Sequence, residues 1–191
     1  MGRRGLARMA GDHAVLAIFE RRVAGGGDDA LIGGPGEDFL YGEDGDDAMD
    51  VSPGGVPGPE SNIKGNDHIW GGPGDEDAVG YTWSRSAAVA SPGSGSSPTS
   101  GYDEFDGAEL LYGSKYNDSL AGWPAVPDKI YGLEGNDFID ITGDPRLSYS
   151  DLADCGEGND EMVGDGRPLH TEIMRDKATD CETSTLQNDN V

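Results

Sequence analysis

From Ala24 the chain repeats itself every nine residues, as AGGGDDALI (24–32), GGPGEDFLY (33–41) and GEDGDDAMD (42–50). Asp29, Asp38 and Asp47 are each preceded by a glycine two residues earlier, at Gly27, Gly36 and Gly45, and followed two residues later by an apolar residue, at Leu31, Leu40 and Met49. Three positions held in phase over consecutive units predict a solenoid built from short stacked units. The phase returns in NIKGNDHIW (62–70), GSKYNDSLA (113–121), WPAVPDKIY (123–131), GLEGNDFID (132–140) and CGEGNDEMV (155–163), with acids at Asp67, Asp118, Asp128, Asp137 and Asp160. The unit from Gly71, GGPGDEDAVG, carries one extra residue, and Asp77 rather than Glu76 keeps Val79 in register.

Each nonapeptide divides into a turn and a strand. Glycine accepts backbone conformations closed to other residues and lets main chain approach main chain, so its half forms a tight turn with carbonyls directed inward. The aspartate adds a short, hard oxygen ligand, and carbonyls with carboxylates in a flexible cage suit Ca²⁺, which takes six to eight oxygens. The candidate ligand loops are those of Asp29, Asp38, Asp47, Asp67, Asp77, Asp118, Asp137 and Asp160, with their glycines Gly25, Gly27, Gly34, Gly36, Gly45, Gly65, Gly72, Gly74, Gly135 and Gly158. The last three residues of each unit form a strand with one inward apolar side chain, and stacking such strands in parallel buries a narrow ladder.

Composition supports a metal-dependent fold. Leu, Ile, Val and Phe are 33 of 191 residues, about 17%, and the formal charge is −24; a chain of this kind lies near the boundary of disorder unless something offsets its repulsion. Aspartate outnumbers glutamate 25 to 12, a choice of the shorter ligand that solubility does not demand. Ion binding becomes folding free energy when the cage is absent from the unfolded chain. The same charge repels phosphate backbones and excludes a nucleic-acid partner. The longest apolar run, Ala14 to Phe19, is far short of the roughly 20 residues a membrane helix needs, and Glu20-Arg21-Arg22 follows it where a signal-peptide cleavage site would stand.

The motif GGPGEDFLY resembles the hemolysin-type calcium-binding repeat, the RTX nonapeptide family, at every specified position. The resemblance implies an all-β, right-handed parallel β-roll with two nonapeptides per turn and ions between equivalent loops on successive turns. It would pair the Asp29 loop with Asp47, Asp38 with Asp67 and Asp118 with Asp137, and leave partial sites at Asp77 and Asp160. It also implies secretion, with calcium ions as the ligand and the protein or cell-surface partner undefined. Tyr116 replaces a turn glycine and residues 123–127 contain none, which predicts distorted Asp118 and Asp128 loops.

The predicted organisation is an N-terminal cap (1–23), a first repeat block (24–79, interrupted at 51–61), a connecting strand and Gly/Ser/Pro loop (80–112), a second block (113–163, irregular at 141–154) and a C-terminal tail (164–191). The cap is expected to be a short helix, N-capped by Asp12, with Val15, Ile18, Phe19 and Val23 on its apolar face. Val79, Tyr81 and Trp83 alternate as a strand would. Cys155 and Cys181 are either buried thiols or, in an oxidising compartment, a disulfide; the surrounding CGEGND and DCE segments resemble the disulfide-closed ending of some secreted members.

No catalysis is expected. His13, His68 and His170 have no metal-binding spacing, Asp44-Gly45-Asp46 fails as an EF-hand because Met49 stands at its sixth position, and Gly93-Ser94-Gly95 lacks the strand–helix setting of a nucleophile elbow. The alternatives to a secreted calcium-stabilised module are an adhesin or cell-surface spacer, or the non-catalytic repeat part of a secreted hydrolase or toxin.

Overall fold

The structure, a computed structural model, describes residues 7–8, 14–16, 21–34, 36–52, 65–91, 93–98, 101–123, 128–142, 151–165 and 177–187. Its strands in the N-terminal half are β1 (Ala7–Arg8), β2 (Ala14–Leu16), β3 (Arg21–Gly26), β4 (Ala30–Ile32), β5 (Phe39–Asp44), β6 (Ala48–Asp50), β7 (His68–Trp70) and β8 (Ala78–Gly80). Three follow in the central segment: β9 (Val89–Ser91), β10 (Ser94–Ser97) and β11 (Gly101–Asp106). The remainder are β12 (Leu110–Tyr112), β13 (Ser119–Ala121), β14 (Lys129–Tyr131), β15 (Phe138–Ile141), β16 (Leu152–Asp154), β17 (Glu161–Asp165), β18 (Lys177–Thr179) and β19 (Thr183–Gln187).

Outside the central segment, successive strands alternate between two sheets. One sheet runs β18, β16, β14, β12, β8, β6, β4, β2; the other runs β1, β3, β5, β7, β11, β10, β9, β13, β15, β17, β19. All pairings except the two made by β10 are parallel. This is a parallel β-roll. Register follows from the nine-residue period: Leu31, Met49, Val79, Leu111, Ile130 and Ala153 align in one sheet. Leu40, Ile69 and Phe105, then Ala90, Leu120, Ile139 and Met162, align in the other. All are buried and form one continuous core. A slip of one residue would turn every rung outward, so the pattern leaves a single register.

Aromatic side chains at intervening positions stack along the sheets, as in Tyr41 on Trp70, with ring centroids 4.6 Å apart, and Tyr112 on Tyr131, also at 4.6 Å. Parallel in-register pairing brings equivalent positions to this spacing.

Two expectations are corrected. The N-terminal helix is not formed: β2 pairs with β4, matching Val15 to Leu31, and Val23 lies in β3 beside Tyr41 of β5. The short apolar run fits either periodicity, and the open hydrogen-bonding edges of the two sheets select the strand; Asp12, Ile18 and Phe19 lie outside the described residues. The Gly/Ser/Pro segment is also ordered into strands. There β10 runs antiparallel between β9 and β11, so the eleven-stranded sheet receives three strands where its partner joins β8 directly to β12. Gly95 explains the choice of small residues, because a Cβ there would lie 2.3 Å from the Tyr81 hydroxyl beneath it. The alternation ends at β8: Tyr81 is fully buried, but Trp83 lies beyond the strand and is 60% exposed.

Among the described residues no helix is long and apolar enough to cross a membrane. Parts of the interruptions at 51–61 and 141–154, and of the tail, fall outside the described residues.

Candidate metal centre

The repeat acids form two ladders along the roll. On the first, the backbone N–H of Asp29 donates to Oδ1 of Asp47 (2.9 Å), that of Asp47 to Oδ1 of Asp77 (2.8 Å), and that of Asp77 to Oε2 of Glu109 (3.0 Å). On the second, Asp38 donates to Asp67 (2.8 Å) and Asp67 to Asp103 (3.0 Å). After the central segment the second ladder resumes, with Asp118 donating to Asp137 (2.8 Å), Asp137 to Asp160 (2.7 Å) and Asp160 to Glu182 (2.6 Å). The residue after each acid closes the turn by donating to a carbonyl one turn back, as Ala48 does to Asp29 and Phe138 to Asp118. One oxygen of each accepting carboxylate is therefore used to hold the stack.

The other oxygen is what matters for a metal. Oδ2 of Asp47, Asp77, Asp137 and Asp160 is buried and has no hydrogen-bond partner. An ionised carboxylate left this way is costly unless a cation meets it. Acceptors also converge there. A methyl group placed on Gly71 would lie 1.8 Å from the Gly107 carbonyl oxygen and 2.6 Å from Asp77 Oδ2. At Gly132 the corresponding neighbours are the Cys155 carbonyl at 2.4 Å and Asp137 Oδ2 at 2.5 Å. At Gly33, Oδ2 of Asp38 and of Asp67 lie 3.3 and 3.5 Å away. These are oxygen-lined cradles that a side chain would fill.

Electrostatics agree. Burial, followed by neighbouring carboxylates opposing the backbone N–H bond, pushes Asp47 up to about 6 and Asp137 to about 7. Asp67, with burial and then Asp103 acting on it, is pushed to about 9. Asp77 and Asp160 are raised by the same burial. Each shift records a carboxylate that favours neutralisation, by a proton or by a metal ion. Among the described residues no three Asp, Glu, His or Cys side chains gather at one point. The donor set at these gaps is thus carboxylate plus main-chain carbonyl, which suits a hard cation with a flexible oxygen shell.

Residues 23–55, 64–80, 105–124 and 127–140 match the family model of the RTX calcium-binding nonapeptide repeat, in four copies. The chain belongs to this family. No curated protein matches it in sequence. The RTX repeats make calcium binding the property of this module, and the acceptor-only cradles fit that ion.

The structure brings Asp29, Asp47 and Asp77 together on one RTX ladder, and Asp38 with Asp67, and Asp118 with Asp137 and Asp160, on the other. Gly45, Gly65, Gly72, Gly74, Gly135 and Gly158 sit where a Cβ would strike a neighbouring turn, while Gly25, near the end of β3, and Gly27, Gly34 and Gly36 take positive φ. The extra residue before Asp77 is absorbed by Asp46, whose Oδ1 accepts from both Asp75 and Glu76. Asp103, Glu109, Asp151 and Glu182 also occupy ladder positions, Asp151 by accepting from the Asp128 N–H. Asp103 was legible: Gly101-Tyr102-Asp103-Glu104-Phe105 repeats the spacing of Gly65-Asn66-Asp67-His68-Ile69. Glu109 and Glu182 are masked in the sequence by the change of acid. The first glycines Gly71 and Gly132, which line the cradles, belong with the site as well.

Cys155 and Cys181 form a disulfide with their Cα atoms 5.1 Å apart. It links the end of β16 to the start of β19, across the pairing of β16 with β18.

Proposed function

We propose that this chain is a secreted module that is held folded by calcium and acts by coordination rather than catalysis. The buried, partnerless Oδ2 atoms of Asp47, Asp77, Asp137 and Asp160 carry this reading. These residues, with the carbonyls of loops such as those of Gly107 and Cys155, would hold the ions; calcium supplies positive charge to a stack of carboxylates that otherwise repel. Extracellular calcium is plentiful and the cytosolic ion is scarce, so the same chain would be loosely structured before export and locked after it. The disulfide supports an oxidising destination.

The test is a calcium titration of the chelated protein, followed by circular dichroism and calorimetry. A cooperative gain of β signal with heat release supports the reading. A folded spectrum unchanged by chelation, with no heat at millimolar calcium, rejects it.

A further inference from the structure

Both ladders break at the same level of the roll. On the first, the Glu109 N–H donates back to the Asp77 carbonyl rather than onward to a carboxylate, while the turn-closing bond from the Lys129 N–H to the Glu109 carbonyl continues as elsewhere. On the second, β11 is followed laterally by the antiparallel β10, so the Asp103 carboxylate meets no further repeat loop. The second run begins at Ala88, which holds the place of an acid: its N–H donates to Asp118 Oδ1 at 2.6 Å, and its carbonyl accepts from Ser119.

The carboxylates on either side of this break differ from those of Asp47, Asp77, Asp137 and Asp160. Asp103 accepts the Asp67 N–H on Oδ1 and the hydroxyl of the fully buried Tyr81 on Oδ2, at 2.9 Å. Asp118 accepts the Ala88 N–H and the Ser114 hydroxyl on Oδ1, the latter at 2.8 Å, and the Ser114 N–H on Oδ2 at 2.5 Å. Ser114 is itself fully buried, so its hydroxyl is committed. Both oxygens of both groups are bonded to protein donors, whereas Asp47, Asp77, Asp137 and Asp160 each keep one buried oxygen bare. The gap between the Ala88 and Asp118 loops also holds one ladder carboxylate where neighbouring gaps hold two. A hard cation needs several unshared oxygens to replace its water; Asp103 and Asp118 have given both of their carboxylate oxygens to hydrogen bonds, Asp118 doing so although the Gly132 carbonyl faces its Oδ2 across Gly113.

We propose that the roll carries calcium in two separate runs joined by a metal-free segment, in which the Tyr81 hydroxyl and the Ser114 hydroxyl and amide satisfy Asp103 and Asp118 in place of an ion. This inference rests on the calcium reading above and assigns that reading its boundaries. The two glycine-rich blocks respond to calcium, and the hairpin-bearing centre is held by its own donors.

The experiment counts calcium bound per chain at saturation, by equilibrium dialysis of the full chain, with β signal in calcium as the check on folding. Asp118→Asn is expected to bind as many ions as the wild type, and Asp137→Asn at least one fewer. Asp103→Asn is also expected to keep the wild-type number, and it decides alone if Asp118→Asn does not fold. Loss of an ion from a folded Asp118→Asn or Asp103→Asn chain overturns the metal-free joint. A wild type that binds no calcium, or Asp137→Asn with a full complement, rejects the calcium reading instead.

Discussion

The backbone N–H of Asp137 donates to Oδ1 of Asp160 one turn further along the roll, 2.7 Å away, while Oδ2 of Asp137 is buried without a partner. One carboxylate thus holds its neighbour in register while the next oxygen over waits for charge. The relationship repeats at Asp47 and Asp77, so stacking and ion binding are coupled through the same side chains. Their substitution affects both.

Asp160→Asn retains shape and an acceptor for the Asp137 N–H but removes the charge at the cradle. The calcium concentration for half-maximal folding is expected to rise roughly tenfold, equivalent to about 1.4 kcal/mol. Titration followed by circular dichroism reads this directly; an unchanged midpoint would mean that the Asp160 oxygen does not meet the ion.

The turn glycines separate close approach from backbone conformation. A Cβ on Gly65 would lie 1.6 Å from the Gly36 carbonyl oxygen, and one on Gly158 the same distance from that of Gly135. Gly65→Ala and Gly158→Ala are expected to abolish calcium-dependent folding, because turns would have to separate. Gly27, at φ +108°, has nothing within 4 Å of its Cβ position. Gly27→Ala should cost only about 1 kcal/mol or somewhat more, from backbone strain, measured by urea denaturation in calcium.

The disulfide closes a loop of sequence separation 26, which corresponds to about 3–4 kcal/mol in the chain-entropy account. Reduction, or the double substitution Cys155→Ser with Cys181→Ser, is expected to lower stability by that order in saturating calcium. Denaturation with and without reductant tests it, and equal midpoints would show that β16, β18 and β19 hold their places without the bond.

In chelator the folded-state carboxylates of Asp47, Asp137 and Asp67 are raised to about 6, 7 and 9, above their ordinary value of 3.8. The folded form then binds more protons than the unfolded one, so stability falls as pH rises. That contribution is fully present below about 4 and is lost as the pH climbs through the folded-state values, between about 6 and 9. Acid therefore substitutes in part for calcium: chelated protein should show more β signal at pH 5 than at pH 8. Saturating calcium should reverse the dependence, since protons then compete with the ion. A chelated protein with no such pH response would show that these carboxylates do not oppose folding.

The repeat was readable because nine residues contain both the turn and the strand, and a fixed period places each acid above the one before it. Asp29, Asp38, Asp47, Asp67, Asp77, Asp137 and Asp160 are local instances of one rule. The N-terminal segment was ambiguous because Ala14 to Phe19 is apolar at both helical and extended spacings. Its fate was decided by sheet edges formed elsewhere in the chain. Asp103 keeps the local spacing of the repeat from Gly101 to Phe105 but stands apart from the other phased units, and Glu109 and Glu182 are hidden by the longer acid.

The sequence alone determined the unit, its turn chemistry, its inward apolar rung and the demand for cations made by 37 acids against 13 bases. These follow from covalent geometry and charge within nine residues. Only the tertiary structure decided which carboxylates have spare oxygens. Tyr81 reaches Asp103 across 22 residues, and Ala88 reaches Asp118 across 30. Such contacts depend on how β9, β10 and β11 close between neighbouring turns, and a period counted along the chain has no access to them.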